Sequence, residues 1–425
     1  MERDTAFEMA ASNIRFGTGI TREVGMDLRD RGLKRVMVLT DQTLRDLPPV
    51  QVAQDSMRAE GVDFAVFDCV RVEPTDASFR EAIAFAKEGD FDAFVAIGGG
   101  STIDTAKAAN LYTSYPADFL TYVNAPIGQG QPVPGPTKPL IAIPTTAGTG
   151  SETTGVAIFD YVEMQAKTGI AHRYLKPTLG LVDPDNTRTM PAAVAASTGL
   201  DVLSHALESY TAIPYDRRPR PERPQLRPAY QGANPISDLW SLQALRLVAD
   251  YLPRAVADPE DDEARAQMIM ASALAGIGFG NAGVHLPHGM SYPVAGMVKA
   301  FVPPGYAIDY PLVPHGIAVI VNAPAVFRFT APACPERHLH AAEVLGARVD
   351  GVDLEQAGEV LSARIVELMR QLELPNGLSA LGYGEEHIPA LVQGTLPQHR
   401  VTKLSPRAAG EEELAALFAA AMRYW

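Results

Sequence analysis

The sequence changes character at about Pro191, and no other feature limits its possible folds as strongly. Before that point, short apolar runs alternate with amphipathic stretches. "KRVMVLTD" (34–41) ends in an acid, "VDFAVFD" (62–68) is rich in β-formers, and "FDAFVAIGGGS" (91–101) stops at three glycines. "PLIAIPTTAGTGSE" (139–152) and "TLGLVDP" (178–184) repeat the pattern, while "FREAIAFAKEGD" (79–90) and "TIDTAKAANLYT" (102–113) show helical spacing. Strands alternating with helices build a parallel sheet covered by helices. After Pro191, Ala/Leu-rich segments at helical period dominate, over 192–212, 236–257, 262–276, 354–372 and 411–423. The expected architecture is an α/β domain over 1–190, of dinucleotide-binding type, and an all-helical domain over 191–425. A chain of 425 residues is long enough for two separate cores.

Charge and composition remove several function classes. A net charge of −14 argues against a nucleic-acid partner, which would need a basic face. No run of 18 or more apolar residues is present, so no membrane span is expected. The first residues, "MERDTAFEMAASNIRFG", mix acids with apolar side chains. They show neither a signal-peptide core nor an Arg/Ser-rich, acid-poor transit pattern, and a cytoplasmic location is expected. Cys69 and Cys334 are far apart and supply neither a disulfide framework nor a thiolate metal site. One segment interrupts the helical half. "PYDRRPRPERPQLRPAYQGANP" (214–235) carries six prolines and five arginines and must be a loop. It is either a solvated surface loop or one that attracts an acidic ligand or a partner subunit.

Two small-residue loops follow strands in the first half. Gly98, Gly99, Gly100 and Ser101 lie between a strand and a helix. There, glycines permit close backbone approach, and the helix N-terminus offers free N–H groups to a phosphate. The spacing matches neither the Rossmann G-x-G-x-x-G nor a P-loop. The acid at a strand end, Asp41, precedes the glycines, whereas a Rossmann ribose-binding acid follows them. The second loop, "PTTAGTGSETT" (144–154), brings the hydroxyls of Thr145, Thr146, Thr149 and Ser151 to the same sheet edge. Each loop alone could be an ordinary turn, but two at successive parallel-strand ends favour a ligand crevice.

The helical half holds the metal-type residues. "TGLDVLSHALESY" places Asp201 and His205 at i and i+4, on one helix face. Such a pair can bind a cation, or can simply be a surface pair. Further histidines have unusual neighbours: His285 and His288 in "NAGVHLPHGMSYP", and His315 between Pro314 and Gly316. Three histidines with one carboxylate suit Fe(II), Zn(II) or a related divalent ion. Spacing alone does not choose between His285 and His288. His338 and His340, in "CPERHLH", lack an acid at helical spacing and are expected on the surface.

Taken in order, "GGGSTIDTAKA", "PTTAGTGSE", "DVLSHALESY", "HGMSYPVAG" and "PHG" resemble the iron-containing (group III) alcohol dehydrogenases over nearly the whole chain. Within that family "KPTLGLVDP", "SHALESYTAIPY", "RPAYQGANPISD" and "GFGNAGVHLPHGMSYP" are most similar to the hydroxyacid-oxoacid transhydrogenase subgroup. The resemblance implies an active site that uses NAD and a divalent metal, Fe(II) before Zn(II). It implies that Gly98–Ser101 and Asp104 serve the pyrophosphate side, and that Thr145, Thr146, Thr149 and Ser151 line the nicotinamide side. Asp41 would meet ribose hydroxyls and disfavour a 2′-phosphate, and Lys167 would contact the cofactor.

For the metal, the resemblance matches Asp201, His205 and His315 to ligands. The register set by Pro293 and Gly296 puts His288, rather than His285, on the fourth. His285 would then line the site without binding metal, as a proton or hydrogen-bond partner. Tyr292 stands where relatives carry a histidine near the nicotinamide, which puts a proton-relay role there in doubt. The stretch between His288 and His315, "VKAFVPPGYAIDYPLV", is longer than in simple alcohol dehydrogenases and is expected beside the site. The implied reaction passes hydride from 4-hydroxybutyrate to 2-oxoglutarate through bound NAD. Both substrates are anions, so a cation should meet the carboxylate. Arg173 is the first candidate, then Lys299 and the loop arginines. The rival readings are an NAD-dependent alcohol or 4-hydroxybutyrate dehydrogenase that releases NADH, a sugar-phosphate lyase as in dehydroquinate synthase, and a non-catalytic binding protein. The expected partners are small-molecule substrates only, with no nucleic acid and no membrane, and the chain is expected to be a homo-oligomer of two or more subunits.

Overall fold

Short apolar runs ending in glycine or an acid make strands because each can be covered on both faces. The computed structural model describes every residue except Met1, Gln165, Ala307 and Asp309. It divides into two compact units, residues 10–190 and residues 1–9 with 191–425.

In the first unit the strands are β1 (Ile14–Phe16), β2 (Arg35–Leu39), β3 (Asp63–Phe67), β4 (Ala93–Gly98), β5 (Leu140–Pro144), β6 (Val156–Tyr161), β7 (Ala166–Ala171) and β8 (Leu179–Val182). Six of them form one parallel sheet in the order β1-β8-β5-β4-β2-β3. Helices α1 (Val24–Asp30), α2 (Pro48–Ala59), α3 (Asp76–Gly89) and α4 (Gly100–Ser114) lie between the strands. One apolar cluster joins Val36, Val38, Val95 and Ile141 to Val50 and Met57 of α2. Another joins Met37, Phe94 and Ala142 to Ala82 of α3 and Ala106 of α4. Alternate strand residues therefore feed opposite faces, as a period of two requires.

The chain runs outward through β2 and β3, then returns past β2 to add β4 and β5. Neighbouring strands point the same way but their connections diverge here, which opens a crevice beyond their C-terminal ends. Asp41 and the glycine loop stand at that edge, with Leu39 and Ala96 in register. The antiparallel hairpin β6–β7 has no counterpart in the sequence expectations. "AKTGIA" lacks the β-branched run that marks a strand. Gly169 permits the pairing, since a Cβ there would lie 2.6 Å from the Ala157 carbonyl oxygen.

The second unit is helical: α5 (Ala192–Thr211), α6 (Pro235–Ala257), α7 (Asp262–Ala282), α8 (Leu286–Gly296), α9 (His315–Ile320), α10 (Ala323–Thr330), α11 (Pro335–Val344), α12 (Ala357–Gln371), α13 (Ile388–Thr395), α14 (His399–Thr402) and α15 (Glu411–Ala420). From Ala195 onward α5 is almost wholly buried, and even Asp201, His205 and Glu208 are no more than 4% exposed. A helix apolar all round, with polar residues enclosed, is a central helix. Among the described residues, no single helix is long and apolar enough to cross a membrane. Helices α7 and α8 meet at an angle of 105°. The bend is at Gly283 (φ 97°), where a Cβ would lie 2.4 Å from Leu404 Cδ1.

Residues 1–9, expected with the α/β part, belong to the helical unit. The cause is the Pro/Arg-rich loop. Arg218 Nη2 lies 2.7 Å from Asp4 Oδ2, Arg227 donates to both Asp4 oxygens at 3.0 Å, and Arg220 pairs with Glu2. Backbone bonds from Asp4 N to Arg218 O and from Arg220 N to Glu2 O lay the arm along the loop. Three of the loop's arginines thus answer the chain's own acids.

Candidate metal centre and cofactor loops

Three elements converge on one point. Helix α5 presents Asp201 and His205 from one face, α8 contributes His288 from its first turn, and α9 begins with His315. One donor atom from each of the four lies within 4.8 Å of all the others. From Asp201 Oδ1 the distances to His205 Nε2, His288 Nε2 and His315 Nε2 are 3.7, 3.6 and 3.8 Å. These are too long for hydrogen bonds. They are close to the roughly 3.4 Å edge of a tetrahedron of donors about 2.1 Å from a central ion. Asp201 Oδ1 and His288 Nε2 are buried with no hydrogen-bond partner. Two orphaned buried acceptors facing one another would be costly without a shared cation. The residues fit a divalent metal.

The surroundings hold these donors in place. His288 Nδ1 lies 2.6 Å from Glu208 Oε1, which makes Nδ1 the protonated nitrogen and turns the Nε2 lone pair toward Asp201. The other Glu208 oxygen accepts from the backbone N–H of His285 at 2.6 Å and of His288 at 3.4 Å. It serves the first turn of α8 where no side-chain cap exists. The His205 ring lies flat on Phe279, 3.9 Å between centroids, and beside His288 at 4.7 Å. Gly316 is required for the approach of α9, since a Cβ there would lie 1.9 Å from the Ser197 carbonyl oxygen and 3.2 Å from Asp201 Cβ.

Electrostatics lead to the same conclusion. Burial alone would raise the pKa of both carboxyls. For Asp201 the three imidazoles outweigh it, and for Glu208 the contacts with His288 and His285 do, so both stay below the ordinary range. Burial pushes His205 down to about 3. For His288 burial opposes the charged form, but Glu208 and Asp201 prevail and raise it to about 10. No lysine or arginine among the described residues pairs with either carboxylate. A divalent cation on these four donors would take the place of the proton that the two carboxylates hold on His288, and two buried negative charges among three neutral imidazoles would then balance it.

His285 is outside this group. It is fully buried, with Nε2 3.0 Å from Thr211 Oγ1 and its ring edge-on to Phe327. Burial lowers its pKa to about 4. Tyr292, one turn beyond His288, accepts from Arg400 Nη2 at 2.8 Å. The stretch 298–313 is outside the helices, and Ala307 and Asp309 within it lie outside the described residues. His338, expected on the surface, is instead fully buried. Its Nε2 lies 2.9 Å from Thr330 Oγ1 and its Nδ1 3.0 Å from Cys334 O, so both ring nitrogens have local partners. His340 meets the Tyr210 hydroxyl at 2.9 Å. Spacing to acids is no guide where hydroxyls and carbonyls serve the ring.

In the α/β unit the two small-residue loops meet. Gly98 and Pro144 are in register, and Cβ atoms at Gly99 and Gly100 would lie 3.2 and 2.5 Å from Thr146 and Thr149 side chains. The glycines are therefore needed for close approach, and α4 starts at Gly100 with no side-chain cap. Thr145 is buried, Thr149 Oγ1 accepts from Ser151 N, and Ser101 Oγ accepts from Glu73 N. Asp41 Oδ1 accepts from the N–H groups of Thr43 and Leu44.

Three expected cofactor residues, Asp104, Ser151 and Lys167, have partners within the unit. Asp104 accepts from Ser151 Oγ at 2.5 Å and from Ile158 N at 2.9 Å. Lys107, buried, reaches Ser151 Oγ at 2.6 Å and Val156 O at 2.8 Å. This network joins α4, the second loop and β6, and Lys107 gave no signal in the sequence because its partners are remote. Lys167 pairs with Glu73 at 2.6 Å and Asp160 at 2.9 Å. Burial opposes its charge, but the two carboxylates outweigh it and hold the ammonium above its usual range. Arg173, half-buried, opens a short turn in this unit. Glu208 was also missed, although D-x-x-x-H-x-x-E puts it on the face of Asp201 and His205.

Comparison with known proteins agrees with this geometry. Residues 11–184 match the family model "Iron-containing alcohol dehydrogenase", and residues 229–422 match "Fe-containing alcohol dehydrogenase family, C-terminal". The mitochondrial hydroxyacid-oxoacid transhydrogenase of Rattus norvegicus is 61% identical over 424 residues, 99% of this chain and 91% of that protein. The crystal structure of 1,3-propanediol oxidoreductase is 29% identical with a TM-score of 0.85, over 98% of this chain and 100% of that one. The sulfoacetaldehyde reductase of Bifidobacterium kashiwanohense, solved in complex with NAD+, is 26% identical with a TM-score of 0.80, over 99% of each chain. The name of the rat relative places it in mitochondria, and that overturns the cytoplasmic expectation. Two of the acids that the expectation counted against a transit pattern, Glu2 and Asp4, pair with the arginine loop. The Asp-His-His-His group, the two-unit fold and these matches together establish that the chain is an oxidoreductase belonging to the iron-containing alcohol dehydrogenase family.

Proposed function

We propose that this oxidoreductase transfers hydride between a hydroxyacid and an oxoacid through NAD that stays bound. The proposed donor is 4-hydroxybutyrate and the proposed acceptor 2-oxoglutarate. The observation that carries the reading is the four-donor group with Glu208 behind it, in a chain 61% identical along its length to a hydroxyacid-oxoacid transhydrogenase. Asp201, His205, His288 and His315 would hold a divalent ion, Fe(II) by preference, which when bound would supply Lewis acidity to a substrate hydroxyl oxygen.

The chain's own residues do the rest. Glu208 fixes the His288 tautomer, and Phe279 fixes the His205 ring. Tyr292 Oη accepts from Arg400, which leaves its own proton available to a substrate oxygen. His285 is a supporting residue held by Thr211. The capless start of α4 and the N–H groups of Gly99–Ser101 suit a pyrophosphate, and Asp41 suits a ribose hydroxyl. Exposed Ile236, Leu239 and Trp240 support the homo-oligomer reading, which sedimentation as a monomer would remove.

Purified protein with 4-hydroxybutyrate and 2-oxoglutarate, and no added NAD, should form succinic semialdehyde and 2-hydroxyglutarate. The structural likeness to 1,3-propanediol oxidoreductase favours a second reading, a dehydrogenase that releases NADH. No product in that mixture, with NADH appearing once NAD is added, would establish the second reading and refute the first.

A further inference from the structure

We infer that Arg400 receives the substrate carboxylate and sets the preference of this centre for hydroxyacids over uncharged alcohols. The inference rests on the hydroxyacid reading above. Helix α14, which carries Arg400, lies against α8 at Gly289, where a Cβ would be 2.8 Å from Thr402 Cγ2 and 3.4 Å from Val401 Cγ2. Two routes tie the guanidinium to two metal-donor histidines. Arg400 Nη2 donates to Tyr292 Oη at 2.8 Å, and Tyr292 is four residues after His288, on the same face of α8. Arg400 Cζ stands 5.1 Å from the Tyr230 ring centroid. Tyr230 meets Phe279 edge-on at 6.5 Å, and Phe279 lies flat on His205. All of these residues are in the helical unit.

What this arginine lacks is an anion. Nη1 of Arg400 is buried and has no hydrogen-bond partner. The charged or titratable neighbours that act on it are the two tyrosines, Tyr292 and Tyr230, and no carboxylate among the described residues pairs with it. By contrast, the other arginine with buried, unpartnered nitrogens, Arg218, has Asp4 beside it, whereas Arg400, half-buried, has none. An aromatic face and a phenol offset part of the cost of burying a guanidinium, but neither neutralises it. A carboxylate would, because its two oxygens match the planar donor fork. The hydroxyl of a hydroxyacid at the four-donor group and its carboxylate at Arg400 place one small molecule across both. The oxoacid that takes the hydride back also carries a carboxylate, so one arginine serves both half-reactions. Of the five loop arginines that are candidates for this role, Arg218, Arg220 and Arg227 are committed to the N-terminal arm.

Calorimetry of the metal-loaded protein with butyrate, against the neutral isostere butyramide, tests this without turnover. Arg400→Ala should weaken butyrate binding roughly 10- to 100-fold and leave butyramide binding within about twofold, as expected for loss of charge-assisted bonds. Arg400→Lys should recover part of the loss. The ratio of kcat/KM for 4-hydroxybutyrate to that for 1-butanol should fall by a similar factor in Arg400→Ala, with metal content retained. Equal loss for both probes, or an unchanged ratio, overturns the inference. Should Arg400→Ala not fold, Arg400→Gln carries the same comparison. If the parent protein exchanges no hydride yet butyrate binding still depends on Arg400, the proposed reaction falls and the anchor stands. If exchange runs and butyrate binding is indifferent to Arg400, the anchor falls and the reaction stands.

Discussion

Replacing Glu208 by glutamine changes one oxygen to an amide nitrogen and tests how the metal centre is held. The carboxylate is fully buried and accepts two short bonds, from His288 Nδ1 and from the His285 backbone, each 2.6 Å. A glutamine can accept one of them, and its NH2 then faces the other donor. A hydrogen bond to a charged group contributes about 1.5–3 kcal/mol, and here the loss falls partly on the imidazole that must present Nε2 to the metal. The centre also drops from two negative charges to one. Outer-shell partners of this kind typically change metal affinity 10- to 100-fold, or about 1.4–2.8 kcal/mol. Competition of the apo-protein against a chromophoric chelator for Zn(II) measures that affinity directly, and the thermal midpoint of the apo form measures the cost to α8. Glu208→Gln should weaken Zn(II) binding by at least tenfold. An unchanged affinity with a lowered apo midpoint would mean that Glu208 merely caps α8, and the argument from the paired histidine would be wrong.

Further expectations follow from the same geometry. His288→Ala should lose the metal on dialysis whereas His285→Ala should keep it, as read by metal analysis; the reverse would show that the donor group is misassigned. Gly316→Ala must displace α9 from the Ser197 carbonyl and carry His315 with it, so Zn(II) affinity should fall at least tenfold with little change in the α/β unit's own unfolding. Glu152 gives a pH test away from the metal. Burial raises its carboxyl pKa to about 7 against the smaller opposing effects of a backbone hydrogen bond and then of Lys107. The folded state therefore holds the proton more tightly than the unfolded chain. The stability from this group is full below the unfolded value near 4.5 and is lost as pH rises to about 7, a change of about 3 kcal/mol. Relative to the parent, Glu152→Gln should have a higher thermal midpoint at pH 8 than at pH 5; an equal difference at both would refute the assignment.

Several features were legible because they are local. Apolar runs ending in glycine or an acid are β2, β3 and β4, and helical periodicity from 192 to 211 is α5. The i, i+4 spacing of Asp201 and His205 puts both on one face wherever that helix lies, and the glycines at 98–100 mark the strand-to-helix loop, although what requires Gly99 and Gly100 is the approach of Thr146 and Thr149. Other features depend on residues far apart in sequence. His285 and His288 differ in role because α7 and α8 bend by 105° and Glu208 grips both from another helix. Arg400 lies in an unremarked "PQHRVT" and matters only because α14 crosses α8. The first nine residues join the helical unit because arginines more than two hundred positions away neutralise their acids. Backbone periodicity and turn chemistry act between neighbours and can be read from order alone. Burial and ion pairing depend on which distant side chains arrive at the same place, and that is decided only when the chain is folded.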